Sequence, residues 1–559
     1  MIKLTLADDP AVMSDRLRHV PVTPGAIDES ALLTLPEMFD AVCARYGGRP
    51  AFTSFGHTVS YAKFAELSAR FATFLCETLA LPAGQRIALM LPNGLPYVIA
   101  FNGAMHAGLV VVNVNPLFTS RELQVQLVSS SAIAIVVLEG LASKLDEIVG
   151  ATRIDTIIAV SLSDALPWFK RLAIDFARRR RHDAVPRSRL ATRSFRSALG
   201  LAPSSDARRH VQLDDIALLQ YTGGTTGKPK AVVLTHRNLS ANIAQIRAWL
   251  GPSYCASAQT VVTPLPLYHV FALTASFLTF FAIGGRNVLV TDPRRIGPLV
   301  SLLKRTRPSA LVGVNTLFNA LLRAPGFATT HWRPDCLVIG GGAPIEREVA
   351  ERWLLATGVP IIEGYGLTEA SPVVSANRTG ETTFTGTVGY PLASTEISVR
   401  SDDGMPLPDG QPGEFWVRGP QVMHGYWNQP GESAAALTAD GWLRTGDVGY
   451  LMSDGALRIV DRKKDLIIVS GFKVFPSEVE DVARSCPGVK EAVAIGSAHP
   501  KVGQAVKLFV VRATPELNAN VILDHCRANL APYKVPHAIE FLDTLPVDAL
   551  GKVLRRVLS

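Results

Sequence analysis

The sequence predicts an α/β protein: a large amino-terminal domain of α/β subdomains carrying a small β-barrel-like portion, followed by a small carboxy-terminal α+β domain. Three observations lead there. Short apolar runs rich in β-branched residues are each followed by helix-compatible sequence, the pattern of buried parallel strands with crossover helices. After about Ser394 the runs shorten and are punctuated by Gly and Pro turns. The chain has 559 residues, more than one core normally serves, so at least two domains are expected.

Taken in order, Leu35 to Ala80 reads as helical segments around one short strand at Pro50 to Tyr61, and Arg86 to Leu91 reads as a strand leading to a helix over 100–108. Ala132–Leu138, Thr260–Thr263, Ala310–Gly313 and Cys336–Ile339 read as buried parallel strands. Gly251 to Gly285 carries no charge, and Val270 to Ile283 is apolar enough to begin a membrane span. Its continuous part is too short, however, and Pro264, Pro266, His269 and Gly284-Gly285 interrupt it, so a buried helix beside a ligand tunnel is expected. Glu396–Arg400 and Gly413–Arg418 are strands of the barrel-like portion. Strand, helix and strand signals then run to Ser559, giving domains 1–460 and 461–559.

Hydrophobic residues make up 48% and charged residues 19%, a globular balance with no long segment of disordered composition. The six cysteines form no C-x-x-C pair or metal-ligand cluster, so reduced thiols in a cytoplasmic protein are expected and no structural zinc. The first residues lack the apolar core of a secretory signal. The net charge of +8 has a local source: between Trp168 and Arg196 ten basic residues face only Asp175 and Asp183. Trp168, Leu172 and Phe176 recur there at helical spacing beside a basic face. Two readings stay open for 168–196, a peripheral contact with an anionic membrane face and a solvated surface insertion. Nucleic acid is not expected as a partner, because no recognised module accompanies the arginines.

The most informative segment is Tyr221-Thr-Gly-Gly-Thr-Thr-Gly-Lys-Pro-Lys-Ala-Val-Val-Leu-Thr-His236. Small residues, hydroxyls and lysines in such a run let backbone N–H groups and ammonium groups converge on a polyphosphate. The Walker pattern would require Gly at 222 and Ser or Thr at 229, where this chain has Thr222 and Pro229. Gly340 to Pro344, Glu363-Gly-Tyr-Gly-Leu-Thr-Glu369, Thr445-Gly-Asp447, Asp461-Arg-Lys-Lys464 and the terminal Gly551-Lys552 follow. With Asn115–Phe118 and Leu265–His269, they make the chain resemble the long-chain fatty acid–CoA ligases of the adenylate-forming enzymes over nearly its whole length.

That resemblance implies the adenylate-forming fold, a lid as the carboxy-terminal domain, and a reaction of ATP, fatty acid and CoA through an acyl-adenylate. It implies Lys552 and Thr368 as catalytic residues, together with Glu369, which would also be the Mg2+ ligand. For ATP it implies Tyr221, Thr222, Gly223, Gly224, Thr225, Thr226, Gly227, Lys228 and Lys230 at the phosphates. Gly342, Ala343, Gly364 and Tyr365 would lie at the adenine, and Asp447 and Arg462 at the ribose. Gly471 and Lys473 would meet CoA, His269 and Phe271 would line the acyl tunnel, and Asp461 would be the hinge. One departure is Lys230-Ala231, where the family usually has Lys-Gly; added bulk there is expected to alter loop mobility. Two other readings share these motifs: a ligase that loads an acyl carrier protein, and a fatty acid binding protein without catalysis.

Overall fold

The computed structural model describes residues 25–180, 188–222, 229–470, 472–499, 502–548 and 552–558. Gly223, Gly224, Thr225, Thr226, Gly227, Lys228, Gly471 and part of 168–196 lie outside the described residues. The chain forms two compact units. The first comprises residues up to 385 with 390–395 and 418–443; the second comprises 386–389, 396–417 and the chain from 444 onward.

The first unit holds two large sheets. One has eight strands, in the order Gly425–Tyr426, Lys230–Thr235, Ile216–Thr222, Val110–Asn113, Arg86–Met90, Ala134–Leu138, Thr156–Val160 and Arg193–Ser194. The other has nine, in the order Tyr390–Pro391, Val373–Ala376, Ile361–Gly366, Leu337–Gly340, Ala310–Gly313, Thr260–Thr263, Arg286–Leu289, Pro50–Ser54 and His57–Ser60. Their central strands pair in parallel and read as unbroken runs of Val, Ile, Leu and Ala, because both faces are covered.

Pro50 to Tyr61, expected as one strand, is a hairpin of two, turned at Phe55 and Gly56 with φ of 48° and 67°. Val270 to Ile283 is buried and helical, with π-type turns over Ala272–Leu278. Phe277 and Phe281 pack there against Phe39 and Phe52, and among the described residues no helix is long and apolar enough to cross a membrane.

In the second unit Glu396–Arg400, Gly413–Arg418, Leu443–Leu451 and Leu457–Arg462 form a four-stranded sheet where the barrel-like portion was expected. This sheet clusters with the carboxy-terminal segment. That segment adds a five-stranded sheet and the helices Pro476–Arg484 and Ala519–Asn529 around a core of Ile467, Val479, Ala494, Leu508, Ile522 and Cys526.

Candidate active site

In the first unit, three parallel strands end together: Gly313, Gly340 and Glu363 stand in register on Ala310–Gly313, Leu337–Gly340 and Ile361–Gly366. Open α/β sheets bind ligands beyond such carboxyl ends. The next residues are small because nothing larger fits. A Cβ on Gly341 would lie 3.0 Å from Phe271 Cζ and 3.3 Å from the Gly364 carbonyl oxygen. Gly342, by contrast, is exposed, with φ of 76°, and a Cβ there would only touch Val314 and Phe271, at 3.7 and 3.8 Å. Gly342, Ala343, Gly364 and Phe271 thus share one neighbourhood. Tyr365 is buried and paired in the strand ladder opposite Ser375. Beside it, burial pushes the Glu363 carboxyl up to about 8, while its Oε1 accepts a bond from the Ile345 amide at 3.3 Å. His269 is half-buried, its ring 4.9 Å from that of Tyr268, at the start of the π-type helix.

The strand then passes through Gly366, where a Cβ would meet the Pro372 carbonyl oxygen at 2.1 Å, into the short turn Thr368–Ala370. The Glu369 carbonyl accepts from the Met423 amide at 2.8 Å, and its Oε1 accepts from the Tyr426 hydroxyl at 2.9 Å. On the same tyrosine, Lys230 Nζ lies 5.1 Å from the ring centroid, and it pairs with Glu432 Oε2 at 2.5 Å. One aromatic side chain therefore holds both the acidic residue of one motif and the lysine of another. Tyr426 and Glu432 escaped the sequence reading; the Gly425–Tyr426 strand is two residues long and carries no periodic signal.

Thr222 and Lys230 face each other as an antiparallel pair, so 223–229 joins two strands of a hairpin. A Walker loop would instead run from strand to helix. The Tyr221 hydroxyl is engaged by Ser129 at 2.6 Å and by the Gln126 carbonyl at 3.3 Å. Ala231 is in the strand, opposite Tyr221 and buried, where extended backbone takes any side chain.

In the second unit, Asp447 is 4% exposed and Arg462 faces it across an antiparallel pair, with Nε 3.0 Å from Oδ1. The strand before it is braced by Thr445, whose hydroxyl donates to the Phe415 carbonyl at 2.7 Å and accepts from the Asp447 amide at 3.1 Å. Lys552 is half-buried beside these groups, its amide donating to Asp548 Oδ1 at 2.9 Å. Burial first, then the Arg462 charge, brings its ammonium down to about 8, against the opposing pull of Asp447.

Asp461 is buried, and its carboxylate accepts from the Ser477 amide at 2.8 Å and the Arg462 amide at 2.9 Å, tying its strand to the start of helix Pro476–Arg484. Burial raises its pKa and those two bonds oppose the rise. Lys473 pairs with Asp402 Oδ2 at 2.5 Å, and Lys463 bridges Asp402 Oδ1 at 3.2 Å and Glu414 Oε2 at 3.1 Å. The two lysines hold the Asp402 carboxyl below its usual range. Asp402 also escaped the sequence reading, since a surface Asp in a turn carries no motif.

Oxygen donors from Thr368 and Glu369 suit a hard cation that completes its shell with phosphate and water. Among the described residues no group of three or more His, Cys, Asp or Glu stands ready to hold a metal alone.

The sheet ends, the hairpin at 222–230 and the acidic turn belong to an α/β enzyme, and the chain belongs to the AMP-binding enzyme family: residues 39–427 match that family and 478–552 match the AMP-binding enzyme C-terminal domain. It is 44% identical over 543 residues to the long-chain-fatty-acid–CoA ligase of Escherichia coli strain CFT073, covering 97% of each chain. It is 35% identical over 539 residues to the enzyme of the same name from Bacillus subtilis strain 168, covering 94% of this chain and 93% of the other. Among solved structures, ATP-bound MatB from Rhodopseudomonas palustris matches with a TM-score of 0.81 at 25% identity, covering 94% of this chain and 98% of that one. A benzoate CoA ligase from Burkholderia xenovorans matches with a TM-score of 0.80, also at 25% identity, covering 94% and 100%.

Proposed function

We propose that this enzyme is a long-chain fatty acid–CoA ligase that converts ATP, fatty acid and CoA into acyl-CoA, AMP and pyrophosphate through an acyl-adenylate. The observation that carries the reading is likeness along almost the whole chain, both domains included, to ligases of that name. In the first half-reaction the fatty acid carboxylate attacks the α-phosphorus and pyrophosphate leaves. In the second, the CoA thiol attacks the acyl carbon, loses its proton, and AMP leaves.

An anion must approach a polyanion in the first step, so the chemical problem is charge. Residues 222–230 cradle the β- and γ-phosphates, and Lys230 exchanges Glu432 for phosphate when ATP arrives. Thr368 donates to the α-phosphate. Glu369, oriented by Tyr426, is the residue that would hold Mg2+, which would supply further neutralisation when bound. Lys552 offers its ammonium to the carboxylate and the α-phosphate. Asp447 accepts both ribose hydroxyls, supported by Arg462. Gly342, Ala343, Gly364 and Tyr365 take the adenine. His269 and Phe271 belong to the acyl path.

In the second step the lid of residues 461–559 turns at Asp461, and Gly471 and Lys473 meet CoA. Such lid motions commonly run on microsecond to millisecond timescales. Residues 168–196 touch the anionic face of a membrane.

The deciding experiment follows pyrophosphate release from MgATP across fatty acids of increasing length, with and without CoA, while acyl-CoA is measured in the same tubes. Chain-length-dependent release coupled to acyl-CoA is expected. Adenylate without thioester would move the assignment to an acyl carrier protein as acceptor, and silence with every acid would overturn it.

A further inference from the structure

We propose that the hairpin tip at Phe55 and the exposed stripe of helix Trp168–Arg180 form one surface that docks on an anionic lipid bilayer. The proposal deepens the membrane contact of the preceding section and rests on that reading for its location, while its residues come from the structure. Trp168 is 69% exposed, Phe169 54%, Leu172 54%, Phe176 57% and Phe55 46%. Trp168, Leu172 and Phe176 recur four residues apart, and Phe169 stands one turn from Leu172, so the four line one side of the helix. Lys170 Nζ donates to the carbonyls of Phe55 at 3.3 Å and Gly56 at 2.7 Å, which puts the hairpin tip beside the helix start.

A solvated insertion would place its polar side outward. Here the outward side is aromatic and aliphatic, and the flanking charge selects the occupant. Residues 168–180 contain five basic residues against Asp175, and Arg189, Arg193 and Arg196 follow. An apolar protein partner gains nothing from that excess, whereas an anionic bilayer offers both acyl chains for the aromatic rings and headgroup charge for the arginines. The helix has 13 residues, and its side chains at 168, 169, 172 and 176 are apolar and more than half exposed, as on a helix that lies in the plane of a membrane interface. Phe55 adds a second observation. An aromatic residue at positive φ is disfavoured, and hairpin turns of this kind usually carry Asn or Gly there, so a ring held outward at that position is retained against the local preference.

The test is co-sedimentation of the full chain with vesicles of phosphatidylglycerol and phosphatidylcholine in equal parts, and with phosphatidylcholine alone, at low and high salt. The wild-type chain is expected on the anionic vesicles, released by salt. The Trp168→Ser/Leu172→Ser double variant and, separately, Phe55→Ser are each expected to lower the partition coefficient about tenfold or more, and Arg171→Glu to weaken anionic binding alone. Pyrophosphate release with monomeric fatty acid should stay at the wild-type rate in all of them. Variants that sediment like wild type, or wild-type binding indifferent to lipid charge and salt, would overturn the docking surface. Salt-sensitive vesicle binding lost in these variants, in a chain that activates no fatty acid, would uphold the surface while removing the ligase reading.

Discussion

Lys552 shows how one side chain can be tuned by its neighbours. Its ammonium is brought down to about 8 by burial and by Arg462, so it loses its proton well before an ordinary lysine does. The charged form is the useful one in adenylation, and the rate of pyrophosphate release is therefore expected to fall as pH rises through about 8, in a range where a free lysine stays charged. Lys552→Ala should lower the adenylation rate by about 10²- to 10³-fold below about pH 8, where the wild-type ammonium is charged, and remove that limb of the profile, so that the difference narrows at higher pH. Tyr426→Phe deletes the hydroxyl that donates to Glu369 and leaves the ring under Lys230. A hydrogen bond to a charged group contributes about 1.5–3 kcal/mol, so the Mg2+ concentration at half-maximal rate should rise by roughly tenfold or more in a metal titration. The motif residues were legible because their types and spacing recur together. Tyr426, Glu432 and Asp402 were not, since each acts through a contact 57 to 202 positions away in sequence or through a turn with no local pattern.

At the scale of elements, backbone clearance at the acidic turn matters as much as chemistry. Gly366→Ala would drive a methyl into the Pro372 carbonyl and should destabilise the first unit by about 1–3 kcal/mol, read as a lowered midpoint in urea unfolding. Asp402 serves two lysines at once, and Asp402→Asn should loosen Lys473 from the sheet before CoA arrives. Exposed ion pairs are worth about 0–1 kcal/mol, so a change of up to about fivefold in the KM for CoA is expected, with adenylation unchanged. Buried parallel strands were legible in order and nearly to the residue, because their apolar runs are continuous. The hairpin at 50–60 was read as a single strand because Phe55, at its turn, is an apolar residue where turn chemistry calls for Asn or Gly. The π-type turns over Ala272–Leu278 follow from packing and leave no mark on composition.

On the scale of the whole molecule, each unit has its own apolar core. Urea unfolding followed by two probes should therefore depart from a single transition. Leu508→Ala, in the core of the second unit, should cost about 2–5 kcal/mol and move only that unit's transition. The sheet that begins at Glu396 clusters with the carboxy-terminal segment, an arrangement that rests on long-range pairing and has no local sequence signal.

Phe55 places stability and surface contact in opposition within one residue. Asn at that position would relax the turn, and Phe55→Asn should raise the thermal midpoint slightly while weakening vesicle binding. Selection for heat resistance alone would thus erode the bilayer contact first, and a thermostabilised descendant of this enzyme would be recognisable by a tip that had reverted to turn-forming residues.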